Sequence, residues 1–146
     1  MRIRTELDDE LIAPVDAESL HQIVINLLDN AVKYGGTGPI TLRAVLHDGR
    51  ARLEVEDAGP GVPVRDRRRA WEPFVRLGSA EAVPGSGIGL AVVHELVAAH
   101  GGTCVIEEAP AGGARIVIEL PAAGRTALPV VSHRPAGAVE VRWPAS

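Results

Sequence analysis

The chain has 146 residues, enough for one domain with a real core, and its 46% hydrophobic and 23% charged content is ordinary for a globular protein. A net charge of −4 argues against a nucleic-acid partner, and a single cysteine excludes an internal disulfide framework. No apolar run approaches the ~20 residues that cross a bilayer, and the charged start Met1-Arg2-Ile3-Arg4-Thr5-Glu6 lacks the apolar centre of a signal peptide. The expectation is a soluble, cytoplasmic, monomeric domain without membrane contact of its own, on a parent protein that can itself be anchored.

Aromatic residues make up only 3% of the chain, so Val, Leu, Ile and Ala must build the core. Residues 1–7 alternate Ile3 and Leu7 with polar neighbours and predict an edge strand. After the acidic turn Asp8-Asp9-Glu10, Pro14-Val15-Asp16 opens a helix with Asp16 as N-cap. Leu20, Ile23, Val24, Leu27, Leu28 and Ala31 recur at helical spacing to about Tyr34, and Gly35-Gly36 ends the pattern. Strands follow at about 39–47 and 51–57, joined by the Asp48-Gly49 turn. A short helix is predicted over 65–71, where Arg65, Arg67, Arg68 and Arg69 read as a solvated face. Residues 74–87 lack periodicity and read as a mobile loop. A second long helix spans about Ile88 to His100, and strands at 103–108 and 114–120 close the domain. Prolines 121, 129, 135 and 144 then mark 122–146 as a Pro/Gly-rich flexible tail, with a weak strand conceivable at Val139–Val141. Cys104, in an apolar stretch, reads as a buried, inert thiol. The order predicts an α+β layout with helices on one face of a mixed sheet.

Four clusters carry chemistry. On the first helix, Asn26, Asn30 and Lys33 recur at i, i+4 and i+7 and form a stripe separate from the apolar one. Such a stripe is commonly just solvated, but two mediocre helix formers are not there for propensity. The Asn30 amide oxygen suits magnesium, and Lys33 suits phosphate. Second, Asp57-Ala58-Gly59-Pro60-Gly61-Val62 follows a strand directly. It is either a plain surface turn or a site where main chain approaches a flat ligand and Asp57 accepts from an exocyclic amine. Third, Gly85-Ser86-Gly87-Ile88-Gly89-Leu90 opens the second helix and offers backbone N–H groups to an anion. It matches neither the P-loop nor the dinucleotide pattern. Fourth, in Trp71-Glu72-Pro73-Phe74-Val75-Arg76, Phe74 is expected to anchor the loop in the core and Arg76 to swing toward a terminal phosphate.

In this order and spacing the clusters resemble the N box, first glycine box, F box and second glycine box of the sensor histidine kinases, which share the Bergerat ATP-binding fold with gyrase and the Hsp90 chaperones. The resemblance covers residues 1–121. Val15, Asp16, Leu20 and Gln22 resemble the lead into the N box, and His100-Gly101-Gly102 the end of the second helix. It implies a two-layer α/β sandwich with a mixed, mostly antiparallel sheet and about three helices on one face. It further implies ATP and Mg2+, with Asn30 holding magnesium, Asn26 near the phosphates, Lys33 on phosphate and Tyr34 lining the nucleotide. Asp57 would read adenine in a pocket shaped by Gly59, Gly61 and Val62. Arg76 is the F-box cation, Gly85, Ser86, Gly87, Ile88, Gly89 and Leu90 form the phosphate-side loop, and about 76–87 is the lid.

The hydrolysing relatives carry Glu where this chain has Asn26, and an amide cannot take up a proton. The resemblance thus implies a phosphotransferase, with Lys33 and Arg76 stabilising charge. Its implied partners are a histidine-bearing dimerisation domain and, indirectly, a response regulator. None of His21, His47, His94, His100 or His133 sits in an acidic-flanked phosphoacceptor motif. A nucleotide-sensing or partner-binding module, or a Bergerat-fold ATPase, remains the alternative.

Overall fold

A computed structural model describes residues 2–8, 11–74, 88–121, 123–125 and 139–140. Strand β1 (Ile3–Leu7) lies at a sheet edge, followed by a three-residue strand β2 (Leu11–Ala13) and helix α1 (Ala17–Tyr34). The hairpin β3 (Ile40–His47) and β4 (Arg50–Glu56) turns through Asp48 and Gly49, both at positive φ. Two 3-10 turns, Val64–Asp66 and Arg69–Trp71, stand where one short helix is predicted. Helix α2 (Gly89–Ala99) leads to β5 (Thr103–Glu108) and β6 (Ala114–Leu120).

The main sheet has the order β1-β3-β4-β6-β5; β1 pairs in parallel with β3, and the other three pairings are antiparallel. With α1 and α2 on one face, this is the expected α+β sandwich. It carries two α-helices among the described residues rather than about three. The missing one is the 65–71 segment, which forms two separate 3-10 turns instead of one α-helix. The unpredicted β2 is flanked by β7 (Gly124–Arg125) and β8 (Val139–Glu140), both antiparallel to it. Three residues are too few to show a period. No described helix is long and apolar enough to cross a membrane.

Alternation along each strand divides the sheet into two faces. Leu42, Ala44, Val55, Ile116, Ile118 and Leu120 point to the helices and meet Ile23, Leu27, Val93 and Val97, all four fully buried. Cys104 is half-buried on this side, and burial pushes its thiol up to about 12, as expected of an inert thiol. The opposite face is a lattice of charge. Arg43 bridges Glu6 (2.7 Å), Glu54 (2.6 Å) and Glu56 (3.2 Å); Arg52 meets Glu54 (2.6 Å) and Glu119 (3.4 Å); Arg115 meets Glu56 (2.6 Å). Burial works against the Glu54 carboxylate, but the Arg52 and Arg43 guanidiniums outweigh it and hold its titration below the usual range.

Asp16 caps α1 as expected, accepting from Ser19 N at 3.0 Å. Its carboxylate is held down to about 2, first by the hydrogen bonds from Ser19 and then by His100. A depressed carboxylate contributes stability that is full above its unfolded value and fades as pH falls through the folded one. The acid limb of a stability–pH curve should therefore carry a component between pH about 4 and about 2 that Asp16→Asn removes, because asparagine caps equally well without titrating. Chemical unfolding of both proteins across that range tests this; identical acid limbs would contradict it.

Candidate nucleotide site

Asp57 follows β4 and is only 8% exposed. One carboxylate oxygen, Oδ1, accepts from Gly59 N (3.0 Å) and Ala114 N (3.1 Å). The other makes no hydrogen bond or ion pair among the described residues, and neither Arg nor Lys pairs with Asp57 there. The residue is packed in by glycine. A Cβ on Gly35 would lie 2.6 Å from the Asp57 Cβ, and one on Gly113 would lie 2.6 Å from Oδ1. A Cβ on Gly59 would come within 2.7 Å of both the Tyr34 carbonyl oxygen and the Gly35 carbonyl carbon. Gly61, at φ +73°, faces the Gly112 carbonyl, and the partly buried Val62 packs on the core. The end of α1, the loop after β4 and the turn between β5 and β6 therefore converge on one carboxylate.

Along α1, Asn26 and Asn30 are half-buried and Lys33 is more open. They share a helix face, as their spacing requires. The Lys33 ammonium is turned to Asp29 at 2.8 Å, one helical turn back. The Asn26 amide reaches the start of α2: a Cβ built on Gly89 would lie 3.7 Å from Asn26 Oδ1. That is ordinary contact distance, so no described residue demands glycine at 89. Ile88, the N-cap of α2, supplies no side-chain hydrogen bond, so no side chain at that position caps the first N–H groups of the helix. Leu90 is half-buried beneath them, and Tyr34 half-buried at the end of α1.

Two expectations fare differently here. Phe74 does not anchor in the core: it is 75% exposed with φ +64°, because the chain turns outward through a left-handed residue after Pro73. The aromatic that does pack is Trp71, whose ring lies 5.9 Å from that of His94 on α2. Arg76, Gly85, Ser86, Gly87 and the proposed lid over 76–87 lie outside the described residues.

Sequence reasoning missed Gly35, Gly113 and Ala114 as parts of the Asp57 cradle. They read as an ordinary helix end and an ordinary turn, and only the three-dimensional pairing of β4 with β6 brings the last two to Asp57.

As to metal, no group of three His, Cys, Asp or Glu that could hold an ion exists among the described residues. The donors on the helix stripe are neutral amide oxygens, at Asn30 and Asn26. That fits magnesium carried in by phosphates, which keeps most of its shell from phosphate and water.

Residues 15–124 match the family described as histidine kinase-, DNA gyrase B- and HSP90-like ATPase. The histidine-protein kinase/phosphatase MprB of Mycobacterium avium is 42% identical over 132 residues, covering 86% of this chain and 25% of MprB. MprB of Mycolicibacterium smegmatis is 46% identical over 101 residues, covering 67% of this chain and 20% of that protein. The chain thus spans about a quarter of these curated relatives. Among solved structures, a mycobacterial sensor histidine kinase MprB chain matches with TM-score 0.73 at 36% identity, covering 82% of this chain and 83% of that one. Full-length ShkA in complex with AMPPNP matches with TM-score 0.69 at 33% identity, covering 88% and 27%. The family match over most of the chain, and the likeness to MprB over most of a solved domain, show that this chain belongs to the histidine kinase-, gyrase B- and HSP90-like family as an ATP-binding domain of the sensor histidine kinase type.

Proposed function

We propose that this domain binds Mg-ATP and delivers the γ-phosphoryl group to a histidine on a separate dimerisation domain, within two-component signalling. The observation that carries the reading is the meeting of Asn26 with Gly89. It sets the amide stripe of α1 beside helix-start N–H groups that the N-cap side chain leaves open, a pairing suited to a polyphosphate. At the other end of α1, the free oxygen of Asp57 suits the exocyclic amine of adenine. The AMPPNP bound to ShkA is consistent with this use of the fold.

Asn30 would hold magnesium, which when bound offsets phosphate charge. Lys33 is one turn away and needs only to leave Asp29, an exposed pair worth little in water. Arg76 would add a second cation at the γ-phosphate. Asn26 orients without accepting a proton, so no carboxylate at that position activates water. A histidine nitrogen then attacks the γ-phosphorus in line, the bond to the β–γ bridging oxygen breaks, and ADP departs with that electron pair.

Labelled ATP tests the transfer. The chain alone should incorporate almost no label, whereas a supplied histidine-bearing dimerisation domain should become labelled. Asn30→Ala should lower that transfer by about two orders of magnitude, in line with loss of a ground- and transition-state contact. Robust labelling of the isolated chain, or transfer indifferent to Asn30→Ala, would contradict the proposal.

The glycines provide a second test. Gly59→Ala drives a Cβ into the Tyr34 carbonyl and should destabilise the fold by about 2 kcal/mol. Gly89→Ala meets only ordinary contacts and should leave stability within about 0.5 kcal/mol. It should nonetheless weaken Mg-ATP binding about tenfold, by crowding the helix-start N–H groups. Denaturant melts and calorimetric titration separate these; the two variants behaving alike would count against the distinction.

A further inference from the structure

His100 directly follows α2 and is tied at both ring nitrogens. Nδ1 lies 2.7 Å from the Leu96 carbonyl oxygen, and Nε2 lies 3.0 Å from Asp16 Oδ1, 84 residues away in sequence. Carbonyl and carboxylate oxygens only accept, so both contacts hold together when each ring nitrogen carries a proton. Asp16 divides its two oxygens: Oδ2 caps α1 at Ser19, and Oδ1 faces the histidine. The turn after His100 is itself fixed, because Gly101 is at φ +74° and Gly102 N donates to the Val97 carbonyl at 2.9 Å.

These contacts define how the two helices lie. The start of α1 is beside the end of α2, and Asn26, ten residues on, is beside Gly89 at the start of α2. The helices therefore run antiparallel, and the Asp16–His100 pair sits about 15 Å along the axis from the Asn26–Gly89 meeting point. The apolar contacts between them, through residues such as Val93 and Val97, are non-directional and tolerate sliding. A hydrogen bond at 3.0 Å does not. A slip by one helical turn, about 5.4 Å, would part Asn26 from Gly89.

We infer that Asp16 and His100 are positioning residues: they clamp the far ends of α1 and α2 and so set the register that brings the Asn26–Asn30 stripe to the phosphate-facing start of α2. The inference rests on the nucleotide reading of that site.

Calorimetric titration of the whole chain with Mg-AMPPNP tests it, well below each variant's unfolding midpoint. Asp16→Ser keeps an N-cap but is too short to reach His100. Asp16→Ser and His100→Ala should each weaken binding about tenfold, as expected for loss of a charge-assisted hydrogen bond, and the double variant should be no weaker than either alone. His100→Gln, which keeps an N–H donor at similar reach, should recover part of the loss. Affinities within about twofold of the parent (a factor worth well under one hydrogen bond), whatever happens to the melting temperature, would reduce the pair to a structural staple and overturn the clamp alone. A parent chain that binds no nucleotide would overturn the nucleotide reading and the clamp with it.

Discussion

Everything at the site depends on a buried carboxylate that the fold satisfies only halfway. Ionised carboxylates are costly to bury unless paired or hydrogen-bonded. The chain carries two among its described residues and treats them oppositely. Glu54, 5% exposed, receives Arg52 and Arg43 and belongs to the charge lattice on the open face of the sheet. Asp57, 8% exposed, receives two backbone N–H groups on one oxygen and nothing from the described residues on the other. The first carboxylate is finished by the protein. In the proposed complex, an adenine amine completes the second.

Holding that carboxylate in place constrains the chain around it. Three backbone segments must come closer than a methyl group allows, and Gly35, Gly59 and Gly113 are where they do so. The resulting contact ties the end of α1, the helix that carries Asn26, Asn30 and Lys33, to the loop after β4. At the other side, a Cβ on Gly89 would meet the described residues only at ordinary contact distance. The glycines of this domain are therefore of two kinds: some let the backbone close on Asp57, and one stands beside helix-start N–H groups. Helix packing joins the two ends, since α1 and α2 run antiparallel.

The regular elements were legible because their signals are local. The apolar stripe of α1, the Asp16 cap, the Asp48-Gly49 turn and the limits of β5 and β6 follow from neighbours within a few residues. The Asn stripe and Asp57 were legible as candidates through their order and spacing together, since each alone also reads as a solvated helix face or a surface turn. What escaped the sequence is pairing at a distance. Ala114 reaches Asp57 across 57 residues, and His100 reaches Asp16 across 84. Nothing in either residue's surroundings announces its partner. β2 escaped for another reason: it is three residues long and is stabilised from both sides by short strands rather than by its own pattern. Phe74 shows the reverse error, an aromatic assigned to the core by residue type when the backbone at φ +64° turns it to solvent.

The central claim is that the unfinished oxygen of Asp57 reads an adenine amine. Parallel titrations of the chain with Mg-ATP and Mg-ITP test it most directly, because inosine carries an oxo group where adenine carries the amine. A site built to accept from that amine should bind ITP at least about a hundredfold more weakly, since the buried carboxylate would then face another acceptor. Equal affinities for the two nucleotides would contradict the account.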